Sequence, residues 1–453
     1  MATPSQTIAI LGAGVTGLTA AHRLAQRGRR VRVFEAGDRV GGAIGTTLLD
    51  GWLVEHGPNS LLASAPEVSA LIDELGLASE VVAAAPATKN RYLVRRGRLV
   101  TAPMTLAAFA TSPLFSLGAK IRILAETRLR PRVRSGDLSL AEFGRAHFGQ
   151  EFVDYALDPF VGGVYAGDPQ KLSARHAFPE LWTMEQTHGS LLRGQRAKLH
   201  AAGAHGKARE IFSFRRGLQT LADALAARLP AGALSRSARL EALVPGAPWS
   251  VVWNDGATTH TEKFDAVLAA LPAPALAQLR FGTLGERPLA ALDAIEHPPV
   301  SSLFLGYRRE QVAHPLDGFG LLAPALERRT VLGILFSSTL FPGRAPAGHV
   351  ALTAMIGGTR RPDLARLPAE KILAAIEPDL RELLGVTGAP VFHRHTFWPR
   401  AIPQYNLGHG QHFETMAAAE RAHRGLFIGG QARDGIALPA CIAAGERLAA
   451  AVA

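Results

Sequence analysis

Cysteine occurs once in 453 residues, at Cys441. That excludes an intramolecular disulfide framework and a cysteine-rich metal site, and it fits a reducing compartment. Lysine is scarce too: seven of the 49 basic residues, the rest being arginines scattered singly through an alanine-rich chain. The net charge of +11 therefore reads as compositional bias. With no lysine and arginine block, zinc-ligand spacing or RNP-like aromatic motif, nucleic acid is excluded as a partner. The opening "MATPSQTIAILGAGVTG" lacks a basic n-region and a cleavage site, so nothing in it points to export. Internal repeats and low-complexity linkers are absent. The longest uncharged run, Leu99 to Ala119, approaches the roughly 20 residues of a membrane span, but Pro103, Pro113 and many Thr, Ser and Ala residues make it a poor one. Two readings of it stay open. It is a buried helical hairpin, or it lies on a membrane surface through Phe109, Leu114, Phe115 and Leu117, with Lys120, Arg122 and Arg128 behind them.

What is present begins at the N-terminus. A chain of this length, 47% apolar, folds as two or three domains. "TIAILGAGVTGLTAAHRLAQRGRRVRVFEAG" reads as strand, turn, helix, strand, and Gly12, Gly14 and Gly17 satisfy G-x-G-x-x-G. Gly12 permits the tight turn, Gly14 lets backbone approach a pyrophosphate, and Gly17 allows close packing of helix on strand. The helix N-terminus then offers free N–H groups and a favourable dipole to the diphosphate. Glu35, ending the second strand, is placed to accept from a ribose hydroxyl. The candidate nucleotide site is Gly12, Ala13, Gly14, Val15, Thr16, Gly17, Glu35 and Ala36.

The acid is followed by Arg39, Gly41 and Gly42, and then by "EHGPNS" at Glu55 to Ser60. This E-x-x-x-R-x-G-G extension resembles the flavin-containing amine oxidase superfamily, in which a second backbone turn runs along an extended FAD. The resemblance implies noncovalent FAD, with Arg39, Gly42, Ala43, Gly57, Pro58, Asn59, Ser60, Leu240 and Trp398 beside it. It also implies a C-terminal strand (Leu426 to Ile428), a glycine turn, and a helix starting near Ala437 whose N-terminus faces the flavin pyrimidine. Ile436, Ala437 and Leu438 are the candidates there. Ala43 stands where many relatives carry a basic residue, and Gln431, Arg433 and Asp434 stand where small or aromatic residues are usual.

The expected fold is α/β plus α. A discontinuous Rossmann-like FAD-binding domain comprises 1–86, 207–272 and 406–453; a helical insertion with a membrane-facing reading spans 87–206; an antiparallel-sheet substrate domain spans 273–405. This is the arrangement of amine oxidases and p-hydroxybenzoate hydroxylase. One helix, 369–384, interrupts the strands of the third part, and Leu218, Leu221, Leu225 and Leu229 mark a core-facing helix.

"DPFVGGVYAGDPQKL", Asp158 to Leu172, lacks P-loop spacing. Its glycines read as removing side chains where a flat ligand or a neighbouring helix comes close, with Pro159 and Pro169 fixing the ends of a turn. This stretch, with "KNRYLVRRGRL", "SFRRGLQTL", "PLDGFGLLAP", "GILFSSTLFPGRAP" and "WPRAIPQYNLGH" in order, resembles the oxygen-dependent protoporphyrinogen oxidases. The resemblance implies that protoporphyrinogen IX and dioxygen yield protoporphyrin IX and hydrogen peroxide. Hydride leaves a bridging carbon for flavin N5, and a proton leaves a pyrrole nitrogen. It places Arg91 at a propionate, and Gly167, Leu322, Phe336 and Phe304 around the macrocycle. No side chain is assigned as catalytic and no metal is expected, His393, His395, His409 and His412 being structural or surface residues. Alternatives are coproporphyrinogen III oxidation, a flavin amine oxidase or desaturase, and a noncatalytic porphyrin carrier. A homodimer and peripheral membrane contact stay open, as do a cytoplasmic location and one at the cytoplasmic face of the inner membrane.

Overall fold

The computed structural model describes residues 6–63, 66–202 and 210–452. The boundary expected at 206/207 and the two chain ends fall outside these residues. Strand Thr7–Leu11 sits at the centre of a five-stranded parallel sheet, ordered 234–235, 30–34, 7–11, 266–269 and 426–428. Its side chains alternate. Ile8 and Ile10 enter a core with Leu18, Leu24, Leu221, Leu225 and Leu448, while Ala9 and Leu11 enter another with Phe34, Trp249, Trp253 and Phe264. Helices cover the first face, and a three-stranded antiparallel sheet, 239–244, 249–254 and 259–264, covers the second. "SARLEALV" is thus a strand of the small sheet, whereas "FDAVLAALP" supplies a strand of the parallel one.

Helix Val15–Gln26 and the C-terminal helix Leu438–Ala451 pack directly together. The Thr16 hydroxyl donates to the Cys441 carbonyl at 3.0 Å. A Cβ on Gly445 would lie 2.6 Å from the Thr16 carbonyl oxygen. The glycine lets the two ends of the chain meet.

A second, seven-stranded sheet runs 392–398, 300–308, 349–357, 331–335, 318–322, 90–95 and 98–101. Its neighbours are antiparallel except for the parallel pair 318–322 and 90–95. The chain is not helical from residue 87 onward as expected, because Asn90–Arg95 and Arg98–Thr101 are strands of this sheet. "YLV" and "RLV" alternate around the Arg96–Gly97 turn, a hairpin pattern. Helix Ala369–Leu384, at its expected position, covers one face through Ile372, Ile376 and Leu380.

Between the sheets, residues 106–202 are mainly helical and share a core of Leu140, Phe143, Val161, Leu172, Trp182 and Leu191. A buried ionic cluster fastens these helices. His147 lies 2.9 Å from Glu126 and 3.2 Å from Glu185, and Arg134 grips Glu185 through two nitrogens at 2.6 and 2.7 Å. The stretch read as a glycine turn is instead a helix, Asp158–Tyr165, with Pro159 in its first turn. A Cβ on Gly163 would lie 2.3 Å from Leu322 Cδ2, so the glycine serves helix-on-sheet packing. The run from Leu99 to Ala119 divides between the two readings of it. Leu114 and Phe115 are buried, whereas Met104, Leu106 and Leu117 are exposed, as are Ile121 and Leu124 just beyond it. No helix of the described residues is long and apolar enough to cross a membrane.

Candidate active site

The fingerprint turn has the geometry its residues demand. Gly12 has φ +95°, and a Cβ there would sit 2.8 Å from the Ala270 carbonyl oxygen. A Cβ on Gly17 would fall 2.0 Å from the Gly12 carbonyl oxygen, so any larger residue would prise helix from strand. Gly14 has nothing within 4 Å of its would-be Cβ. Having no side chain, it caps helix Val15–Gln26 without a side-chain hydrogen bond, and the first-turn N–H groups have no acceptor within the helix. Ala13 and Val15 are buried beneath the turn. The Thr16 side chain is spent on Cys441, so only its backbone can serve a phosphate.

A second glycine turn faces the first. Gly41 donates to the Ala13 carbonyl at 2.8 Å, and a Cβ on Gly42 would lie 3.3 Å from Gly14 Cα. Arg39 curls into this turn, donating to the carbonyls of Ile44 (2.5 Å) and Gly42 (2.8 Å), and thereby holds its shape. Glu35 accepts from the amides of Ala13 and Gly37, both at 2.8 Å, which fixes its carboxylate beside the turn with lone pairs to spare. Exposed Ala36 and half-buried Leu240 border the same edge, where the Ala238 amide donates to the Glu35 carbonyl.

Farther along, Gly57 abuts the Ala43 carbonyl oxygen, 2.1 Å from a would-be Cβ. Trp398 donates its indole N–H to the His56 carbonyl at 2.9 Å, and Asn59 donates to the Gly57 carbonyl at 3.1 Å. Pro58 and Ser60 are half-buried in the same segment. Gly430, with open space where its Cβ would be, begins the turn into the C-terminal helix. Ile436 and Ala437 lead to Leu438, and Ala437 caps the helix without a side-chain bond. Two uncapped helix N-termini and an open glycine cradle suit an extended dinucleotide carrying a diphosphate, so the residues fit a flavin dinucleotide.

Sequence reasoning missed the clamp on this last turn. The Tyr405 hydroxyl donates to the Gln431 carbonyl at 2.6 Å and accepts from the Gly435 amide at 2.9 Å. His409 stacks on Tyr405 at 4.0 Å and donates to the Ala432 carbonyl at 3.0 Å. Burial pushes the His409 imidazole down to about 4, so it works as a neutral donor. Arg433 pairs with Glu420 and Asp434 with Arg447, so two of the three unusual residues of this turn are locked in ion pairs. His395 is likewise structural, 2.7 Å from the Ser301 hydroxyl; His393 is exposed and His412 half-buried.

Side-chain alternation divides the seven-stranded sheet. Leu303, Leu305, Tyr92, Val94 and Leu321 face helix Ala369–Leu384. The intervening residues face away from it: Phe304 toward Trp52, and Leu93 and Leu322 toward Phe115. Trp398 belongs to this second face by its register with Val300, in the strand that carries Phe304. Arg91 belongs to it as well, on the same side of its strand as Leu93. The face therefore runs from Trp398 on the first strand to Arg91 on the sixth. Arg91 is exposed, lies 5.5 Å over the Phe319 ring, and has no carboxylate partner among the described residues.

Two expected substrate contacts are placed otherwise. Phe336 is fully buried on the helix-facing side against Tyr92 and His314, because it shares the parity of Ile334; half-buried Leu335 has the opposite parity. Gly167 makes room for Gln404, whose Oε1 would sit 2.2 Å from a Cβ there, and not for a ligand. The Gln404 amide nitrogen in turn donates to the carbonyls of Tyr165 and Ile402.

Phe304 lines a small buried cavity with Glu55, Asn59, Ser337 and Arg344. Burial pushes the Glu55 carboxyl up to about 7, outweighing the hydrogen bonds from Thr46 and the Leu218 amide and the Arg344 guanidinium 3.7 Å away. An acid beside H-G-P was visible in the sequence, but its arginine partner lies far down the chain, with no spacing to betray it.

Residues 15–453 match the flavin containing amine oxidoreductase family. The chain belongs to that family. Within it, the chain is 34% identical to protoporphyrinogen oxidase 2 of Arabidopsis thaliana, over 99% of this chain and 94% of the relative. It is 28% identical to the coproporphyrinogen III oxidase of Bacillus subtilis (strain 168), over 97% of this chain and 96% of that one. A crystal structure from Exiguobacterium sp. 255-15 carrying the protoporphyrinogen oxidase name superposes with a TM-score of 0.83 at 23% identity, covering 99% of both chains, and so shares the fold. A family of flavin-containing oxidoreductases accounts for the open glycine cradle.

Proposed function

We propose that this flavoenzyme is an oxygen-dependent protoporphyrinogen oxidase with noncovalent FAD. The observation that carries the reading is the second face of the large sheet, apolar from Phe304 on its second strand to Leu322 on the fifth and Leu93 on the sixth, where Arg91 stands exposed with no carboxylate partner among the described residues. A flat, apolar macrocycle carrying propionates needs such a face, with a cation at its rim. The full-length likeness to the Arabidopsis enzyme supports the same substrate.

Gly12 to Gly17 with Gly41 to Ala43 would hold the diphosphate, Glu35 the ribose, and Gly57 to Ser60, Trp398 and Ile436 to Leu438 the ring. Bound FAD supplies the hydride acceptor, and dioxygen carries each electron pair away as hydrogen peroxide, in three cycles per macrocycle. Arg91 orients the substrate through a propionate. The apolar face excludes water from the reacting carbon, and the free N–H groups of the C-terminal helix favour negative charge on the ring. Cys441 is buried and its thiol is pushed up to about 12, so it stays protonated and offers no thiolate for a covalent flavin link.

Membrane contact through the exposed apolar side chains of residues 104–124 is part of the proposal. Anaerobic mixing of the yellow protein with protoporphyrinogen IX tests the reading. The visible flavin band should bleach as porphyrin fluorescence rises, and an unchanged band would refute it.

A further inference from the structure

A cleft of about 300 Å³ opens between the helical segment and the turn that enters the C-terminal helix. It adjoins the segment proposed to hold the flavin ring through Ile436, and its other lining residues are outside Gly12 to Gly17, Gly41 to Ala43 and the strands of the large sheet. Its walls are Tyr165, His176, Tyr405 and Phe413, with Ile436 among its lining residues and Arg175 at its edge. The rings are preset: His176 stands edge-on to Phe413 at 5.4 Å, and Tyr405 stands edge-on to the same ring at 5.9 Å.

Three polar groups that line the cleft have no hydrogen-bond or ion-pair partner among the described residues: the Tyr165 hydroxyl, the Arg175 guanidinium and the His176 imidazole. The other charges there are committed, Arg433 to Glu420 and Asp434 to Arg447. Burial pushes the Tyr165 phenol up to about 12 and lowers His176, so the first is a donor and the second neutral near pH 7. A cation and a hydroxyl donor above aromatic walls recognise a carboxylate on a flat aromatic body. The volume falls at the lower end of the roughly 300–1,000 Å³ typical of small-molecule sites.

We propose that this cleft is a second ligand site, taking a planar aromatic carboxylate whose carboxylate meets Arg175 and Tyr165 and whose ring system lies among Tyr405, Phe413 and His176. The site stands whichever porphyrinogen the flavin site oxidises. Tyr405 belongs both to the cleft wall and to the clamp on the turn at 431–435, so an occupant touches the residue that sets the entrance to the C-terminal helix.

The test is a fluorescence titration of the flavin-loaded protein with pyrenebutyrate. The expected result is a saturable class of binding that Arg175→Ala weakens at least tenfold, Tyr165→Phe weakens severalfold, Arg175→Lys largely restores, and Arg91→Ala leaves intact. Arg175 is exposed and Tyr165→Phe removes only a hydroxyl; circular dichroism and flavin content confirm that the variants are folded. The proposal is overturned if no saturable class exists, if every class survives both Arg175→Ala and Tyr165→Phe, or if binding is lost with Arg91→Ala alone.

Discussion

The indole Nε1 of Trp398 donates to the carbonyl oxygen of His56 at 2.9 Å, joining an edge strand of the large sheet to the segment expected beside the flavin. The bond crosses 342 residues of chain and ties the sheet to Gly57–Ser60. Trp398→Phe keeps an aromatic ring and deletes the donor, a loss of about 0.5–1.5 kcal/mol for a typical hydrogen bond. The variant should fold and release its flavin faster, which stopped-flow flavin fluorescence would register; an unchanged release rate would mean that the bond does not hold the segment.

Gly17 is the least replaceable residue of the fingerprint. A Cβ there would lie 2.0 Å from backbone, the Gly12 carbonyl oxygen, and no rotamer change relieves that. Overpacking typically costs about 1–3 kcal/mol. Gly17→Ala is expected to purify with little or no flavin and a lowered unfolding temperature, whereas Gly14→Ala, with open space at that position, should fold normally and lose only flavin affinity. Absorbance of the purified proteins near the flavin bands distinguishes the two.

Glu55 makes a pH prediction. Its carboxyl is raised from 4.5 to about 7 in the folded protein, so the folded state binds the proton more tightly than the unfolded chain does. The corresponding stability is fully present below about pH 4.5 and is lost as pH rises through about 7. Each tenfold difference in proton affinity between the two states is worth about 1.4 kcal/mol. Glu55→Gln removes this titration while keeping the hydrogen-bonding shape. Denaturant unfolding of both proteins between about pH 5 and 8 should show the wild type losing stability relative to the variant as pH rises, and parallel curves would contradict the assignment.

Much of this architecture was legible in the chain. The G-x-G-x-x-G turn, Glu35 and the C-terminal helix carry local signals, because a tight turn and a helix start restrict residue types on the spot. The seven-stranded sheet was half legible. Its strands from Val300 onward alternate visibly, but 90–101 joins it from far upstream in the chain, and nothing local announces a parallel pairing with Gly318–Leu322. Phe336 was misplaced because a one-residue difference in parity moves a side chain to the opposite face of a sheet. Gly167 misled for another reason: a glycine reports that space is needed, not whether a ligand or Gln404 fills it. The Tyr405–His409 clamp and the Glu55–Arg344 pair depend on tertiary contact alone.

Membrane contact should map to one exposed surface. Leu106, Leu117 and Ile121 are 72%, 74% and 60% exposed, and Lys120 and Arg122 flank the last of them. Co-sedimentation with vesicles containing anionic lipid should retain the wild type and release the double variant Leu117→Glu/Ile121→Glu, with its flavin content unchanged. Equal sedimentation of both would show that this surface makes no such contact.

The central claim concerns which macrocycle the Arg91 face accepts. Purified flavin-loaded protein is mixed in air with protoporphyrinogen IX or with coproporphyrinogen III, and initial rates of porphyrin fluorescence are compared across substrate concentration. An apolar face with the unpaired Arg91 at its sixth strand predicts the higher kcat/KM for the dicarboxylate protoporphyrinogen IX. A higher value for coproporphyrinogen III, or no porphyrin from either, would contradict it.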